Sequence, residues 1–306
     1  MSSPHQRIGN YVVISPVKDE EKYFGRTIKA VCRQTVRPAK WIIVDDGSRD
    51  RTPQIIDAAC KECDWIECLR IDRDSKRQLG SAEVRAFEAG YKVVSQKEYE
   101  FVVKLDADLD LPADYFEQLI ARLKVREKLG ITSGIYVEQT RDKWEAVKMP
   151  RYHAAGAAKM VRTKCFQDIG GFPLFPGWDT ADEIKAWAKG WETGHFPEIE
   201  FQHLKPEGSM HGLGTNILHG EVYYVCGGGP LFFMFKVIDR MIVGKPFFVG
   251  GLLLLYGYLR ALATRSKLVT PREASVYRKM LNERIKAVMA RVFKPMKFSS
   301  KTRRAI

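Results

Sequence analysis

The sequence predicts an α/β fold, a mostly parallel central sheet flanked by helices. Two observations predict it. Short apolar, β-branched runs alternate with stretches of helical spacing over residues 11–125, an order that closes into a parallel sheet with right-handed crossovers. Two of those runs end in acids, where open α/β sheets bind their ligands.

Residues 11–16, Tyr-Val-Val-Ile-Ser-Pro, form the first predicted strand and end at a proline. A polar loop over 17–21 leads to helical spacing from about 23 to 31. Residues 41–44 are the second strand and run into Asp45-Asp46-Gly47-Ser48. Thr52 followed by Pro53 is an N-cap and first-turn signature, and Ile55, Ile56 and Ala59 share one face of the helix beyond it. Residues 65–71 are a third strand. Residues 80–94 are a helix with Val84, Phe87, Tyr91 and Val94 at helical spacing. Phe101-Val102-Val103 is the fourth strand and feeds Lys104-Leu105-Asp106-Ala107-Asp108-Leu109-Asp110. Pro112 then opens a helix with Phe116, Leu119, Ile120 and Leu123 inward. Regularity falls after Gly130. Residues 131–137 read as a strand, Gly170-Gly171-Phe172 as a turn, and Gly177 to Glu183 as the lead into a helix over 184–189 closed by Gly190.

Asp106 and Asp108 are two apart, so an extended chain points both to one side. They then repel unless a hard cation or a proton lies between them. This stretch therefore reads as a divalent-metal and diphosphate site, against the plainer reading of a solvated acidic turn. No Gly-x-Gly-x-x-Gly follows the first strand and no Walker loop occurs, which disfavours standard dinucleotide and P-loop folds.

Net charge is +13 over 306 residues, with uneven distribution. Residues 265–306 hold 13 Lys/Arg against 2 Asp/Glu, an excess of +11, so the rest carries only +2. Just before this tail, residues 246–259 are almost wholly apolar. That run is short of the ~20 residues a membrane span needs. Tyr256 and Tyr258 followed by Arg260, Arg265 and Lys267 favour an interfacial segment on an anionic membrane, ahead of a span or a buried core helix. A greasy segment before the basic tail argues against nucleic acid as partner. The first ten residues have no apolar h-region, so no secretory signal is expected. Cys60 and Cys63 form a C-x-x-C without a matching zinc pair, and are read as reduced thiols on and after a helix.

Taken in order, Pro16, Val44-Asp45-Asp46-Gly47-Ser48, Asp106-Ala107-Asp108, Gly170-Gly171-Phe172 and Trp178-Asp179 before a helix resemble a family 2 glycosyltransferase of the GT-A fold, over residues 9–210. The resemblance implies inverting transfer from a nucleotide-sugar (a UDP- or GDP-sugar) with Mg²⁺ or Mn²⁺. It implies that Pro16 and Asp19 lie at the donor's base and ribose, that Asp46 holds the base or ribose, and that Asp106 contacts ribose or sugar. Asp108 would be the metal ligand. Asp179 stands where the family carries the aspartate of a Glu-Asp pair, its general base. Here Trp178 replaces that glutamate, so Asp182 and Glu183 remain rivals. His203 is a candidate metal or diphosphate ligand, against a hydrogen-bonded structural histidine. Arg77 and Arg85 are candidate diphosphate contacts, against solvated helix-face arginines.

These readings divide the chain into a catalytic domain at 1–222, with a donor half at 9–110 and an acceptor half at 111–222. Residues 223–306 are then a membrane-associating helical segment with a basic tail. The expected protein is peripheral or monotopic on the cytoplasmic side of the cell membrane. It acts on a lipid-linked or glycan acceptor in surface-polysaccharide assembly. A processive synthase would carry Gln-x-x-Arg-Trp, which is absent. A nucleotidyltransferase would carry a Gly-rich loop after the first strand. A non-catalytic membrane scaffold would have no need of acids at both strand ends.

Overall fold

The computed structural model of the chain describes residues 7–71, 81–94, 99–140, 143–205, 213–243, 247–265 and 267–292. Arg77, residues 206–209 and the basic residues beyond 292 lie outside the described residues.

Two short strands, β1 (Arg7–Ile8) and β3 (Val36–Arg37), pair in a small parallel ribbon. The main sheet begins with β2 (Tyr11–Val17), followed by α1 (Phe24–Cys32), β4 (Lys40–Asp45), α2 (Thr52–Glu62), β5 (Ile66–Arg70), α3 (Ser81–Val94) and β6 (Phe101–Leu105). These four strands lie in the order β5-β4-β2-β6, all parallel. Side chains alternate across the sheet as the pleat requires. Tyr11 and Val13 enter a core with Trp41, Val103 and Phe116, while Val12 and Ile14 enter one with Phe87, Phe166 and Trp178 on the other face. Both faces are thus covered, which is why these strands read as continuous apolar runs.

The second half is mixed rather than parallel. After β7 (Leu109–Asp110) and α4 (Tyr115–Val125) come β8 (Leu129–Thr140), β9 (Lys143–Ala146), β10 (Ala158–Arg162), α5 (Thr163–Ile169), α6 (Trp178–Ala188) and β11 (Glu192–His203). β10 runs antiparallel to β6 and β8, β9 antiparallel to β8, β11 parallel to β8, and β7 antiparallel to β11.

Several helix ends differ from the sequence expectation. Thr52 is the first helical residue, not the cap; its Oγ1 accepts the Glu20 N–H at 2.8 Å and ties α2 to the loop after β2. Pro112 does not open α4, which starts three residues later behind Asp114. The helix expected over 184–189 begins at Trp178. Gly177 precedes it at φ 89 and Gly190 follows at φ 86, left-handed conformations that glycine adopts without strain. The early start puts Asp179 in the first turn and carries Asp182 and Glu183 into the helix body.

Among the described residues, four helices follow β11: α7 (Gly214–Val225), α8 (Pro230–Ile242), α9 (Val249–Thr264) and α10 (Pro271–Val292). The boundary expected at 222/223 falls inside α7. These helices share a core with α6: Ala181 and Ile184 pack with Tyr223, Phe233, Leu254, Tyr277 and Leu281. α7 and α9 meet backbone to backbone. A Cβ on Gly220 would fall on the Leu254 carbonyl, and one on Gly257 on the Ile217 carbonyl. Backbone cannot step aside as a side-chain tip can, so Gly257→Val should cost at least ~1–3 kcal/mol, read as a lower thermal midpoint. Gly25→Ala, where a Cβ meets nothing within 4 Å, should leave the midpoint unchanged or raised. Among the described residues no helix is long and apolar enough to cross a membrane.

Candidate active site

The parallel strands deliver their C-terminal ends to one edge. Pro16 pairs with Val44, Val17 with Asp45, and Ile14 with Lys104. The β2–β6 ladder stops at Ile14, so the missing N–H of Pro16 falls where β6 has already turned away. Asp45 and Asp46 are buried. Asp45 Oδ1 accepts the Ser48 N–H at 2.9 Å, which with Gly47 at φ 72 forms the tight turn. Asp46 donates its N–H to the Val17 carbonyl at 2.9 Å and accepts Lys18 Nζ on its own carbonyl at 3.0 Å.

Asp19 is exposed and sits at φ 52, a conformation Asp tolerates better than most residues. Its Oδ1 accepts the Arg49 N–H at 2.7 Å and its own N–H goes to Ser48 Oγ at 3.1 Å. It therefore pins the loop after β2 to the loop after β4.

Asp106 and Asp108 do not share one extended face. β6 ends at Leu105, and residues 106–108 bend before β7. What gathers them is β11: His203 pairs with Leu109, Gln202 with Asp110, and the Leu204 N–H reaches the Asp108 carbonyl at 2.8 Å. The ligand atoms of Asp106, Asp108 and His203 all lie within 4.8 Å of one another. His203 Nε2 is 3.5 Å from Asp108 Oδ1, and Nδ1 is 3.2 Å from Glu138 Oε1. A carboxylate behind a ligating imidazole is the usual means of fixing its orientation. Burial works against a charged His203, but Asp108, Asp106 and Glu138 outweigh it and hold it up at about 9.

Asp106 faces a different partner. Lys104, 2% exposed, meets Asp106 Oδ1 at 2.5 Å and also pairs with Glu83. Burial opposes the ammonium, yet the two carboxylates hold Lys104 above the ordinary lysine range. Lys104 takes up one oxygen of Asp106 and leaves the other, whereas Asp108 and His203 face each other directly. Two carboxylates and an imidazole fit a divalent ion of the Mn²⁺ class.

On α6 the three acids separate by environment. Asp182 is fully buried and holds Lys159 Nζ at 2.9 and 3.2 Å. Glu183 is also fully buried, accepting the Ala154 N–H at 2.6 Å and meeting His153 Nδ1 at 3.1 Å. Asp179 is 35% exposed, with His153 Nε2 at 3.8 Å from its Oδ2. Only Asp179 of the three is open to a substrate.

Trp178 lies between Lys104 and Lys159, its ring centroid 5.2 and 5.0 Å from the two ammonium groups. Those lysines are cross-strand partners in the β6–β10 ladder. Like charges placed so are destabilising; Asp106 and Glu83 on Lys104, Asp182 on Lys159 and the nearby indole ring offset this. Arg85 is exposed on α3. Lys104, Lys159, His153 and Glu138 were not singled out from the sequence. A lysine inside Phe-Val-Val-Lys-Leu, and another inside Ala-Ala-Lys-Met-Val, was the available signal, since a lysine is seldom buried unpaired.

Residues 12–175 match the family model Glycosyl transferase family 2. The chain belongs to this family. Over 113 residues it is 32% identical to an undecaprenyl-phosphate 4-deoxy-4-formamido-L-arabinose transferase of Pseudomonas paraeruginosa, covering 36% of this chain and 31% of that protein. Over 124 residues it is 29% identical to the transferase of the same name from Proteus mirabilis, covering 39% and 35%. The aligned part thus spans about a third of these relatives' length. Among solved structures, mannosyltransferase PcManGT from Pyrobaculum calidifontis in complex with GDP-Man and Mn²⁺ has a similar fold. Its TM-score is 0.53 at 17% identity, covering 96% of this chain and 84% of that one. S. aureus TarS 1–349 in complex with UDP-GlcNAc gives 0.53 at 16%, covering 92% and 82%. At these identities the likeness is one of fold, and it identifies the GT-A fold here.

Proposed function

We propose that this protein transfers a sugar, with inversion, from a nucleotide-sugar to an acceptor hydroxyl on a lipid-linked glycan at a membrane surface. The observation that carries this is the joining of Asp106, Asp108 and His203 at the edge where β2 and β4 also end. Pro16, Asp19, Asp46 and Asp106 are assigned to the donor. Asp108 and His203 would hold Mg²⁺ or Mn²⁺, which when bound neutralises charge on the departing diphosphate. Asp179 takes the acceptor proton as the hydroxyl attacks. The complexes of the structural neighbours with GDP-Man and Mn²⁺, and with UDP-GlcNAc, support this choice of donor and ion.

A second acceptor is a lipid phosphate. The relatives named for undecaprenyl phosphate favour it. Calorimetry with UDP- and GDP-sugars, with and without Mn²⁺, tests the donor reading. Metal-dependent binding is expected; its absence with every donor would point instead to a non-catalytic scaffold.

The peripheral membrane assignment rests on two exposed apolar helix faces. Leu231, Met234, Phe235, Ile238 and Ile242 line an exposed face of α8 at helical spacing, and Leu252, Tyr256 and Leu259 one of α9. Arg260, Arg265 and Lys267 follow on the same segment. Deleting the C-terminal helices would strip the α6 face they cover, so point changes test this more cleanly. Phe235→Glu, Ile238→Glu and Leu259→Glu together should abolish co-sedimentation with anionic vesicles, since each such side chain contributes ~1.5–3 kcal/mol when fully buried in an apolar phase. Undiminished binding by the triple variant would remove these faces as the anchor.

A further inference from the structure

One short stretch of chain, residues 153–159, meets all three acids of α6. Lys159 takes Asp182, the Ala154 N–H and His153 Nδ1 take Glu183, and His153 Nε2 faces Asp179. Asp179 and Glu183 are one helical turn apart, so they share a face of α6. The imidazole lies between them, bridging a carboxylate with no exposure and one open to solvent. The stretch is itself anchored. The Ala155 N–H donates to Ser133 Oγ at 2.8 Å, and His195 Nδ1 meets the His153 carbonyl at 2.8 Å. His153 therefore has little freedom except toward Asp179.

We propose that His153 is a positioning residue for Asp179: gripped by Glu183 through Nδ1, its imidazolium holds the Asp179 carboxylate on the acceptor side of the site. This rests on Asp179 being the general base. The 3.8 Å separation is too long for a hydrogen bond. It is an ion pair across a gap, so the carboxylate is restrained yet free to accept a proton from a substrate. The charge follows from what surrounds the ring. Burial works against the imidazolium, Glu183 and then Asp179 favour it, and Lys159 opposes it; the balance holds His153 up at about 9. A group raised in this way is charged below that value and loses its charge as pH rises through it. Asp182 faces Lys159, and His195 meets the backbone carbonyl of His153.

The test is the pH dependence of kcat and of donor KM in His153→Gln and Glu183→Gln, beside Asp179→Asn. His153→Gln should lower kcat by about 10- to 100-fold, the scale of a misplaced catalytic group, with donor KM unchanged. Wild-type kcat should fall near pH 9, and this fall should be absent in His153→Gln. Glu183→Gln should move it to lower pH, because the imidazolium has lost its main support. Mn²⁺-dependent donor binding by calorimetry reports that each variant is folded. Wild-type kcat in His153→Gln overturns the proposal. So does a lowered kcat with the alkaline fall still in place, the result of a merely structural role. If Asp179→Asn turns over normally, it is the general-base reading that fails. If Asp179→Asn is inactive while His153→Gln matches wild type, only the role of His153 falls.

Discussion

Asp179→Asn should lower sugar transfer about 10²- to 10⁴-fold, the contribution of a positioned general base, with metal-dependent donor binding intact. The substitution keeps the size and hydrogen-bonding shape of the side chain and removes its capacity to take a proton. It is also a clean change, because Asp179 is partly open while Asp182 and Glu183 are buried under Lys159 and His153. Turnover and donor affinity measured on the same preparation separate chemistry from binding. Near-normal turnover would remove Asp179 as the base and leave two readings, a base elsewhere or a lipid-phosphate oxygen that attacks without one.

Asp108→Asn and His203→Ala should each abolish Mn²⁺-dependent donor binding, read by calorimetry and not only by activity. A hard divalent ion depends on anionic oxygen, and Asp108 is the acid that faces His203 across 3.5 Å. Asp106→Asn should weaken the ion less, because Lys104 already occupies Asp106 Oδ1 at 2.5 Å. Glu138→Gln should weaken it by about 10- to 100-fold, the usual effect of loosening the support behind a ligating histidine. Equal losses at Asp106 and Asp108 would show that Lys104 releases Asp106 when the ion binds.

The parallel half of the sheet was legible because each strand is a short apolar run between turn residues and each crossover carries helical spacing. Asp45-Asp46 and Asp106/Asp108 were legible for the same reason: they follow directly on strands whose ends could be read. The start of α6 was not. Trp178 and Asp179 lie beside Gly177, and the left-handed glycine that opens the helix has the same appearance in sequence as a loop glycine. β11 was missed as well, since Glu192–His203 is a partly exposed strand without a clean alternation of apolar and polar residues.

Local pattern was therefore enough for the family, the fold class and the acids that end its strands, because those depend on neighbours within a few residues. The meeting of His203 with Asp108, the different exposure of Asp179, Asp182 and Glu183, and the pairing of Lys104 with Asp106 came only with the tertiary structure. Each depends on which strands lie side by side and on which carboxylates are sealed from water. Those are properties of contacts between distant segments, and no spacing along the chain encodes them.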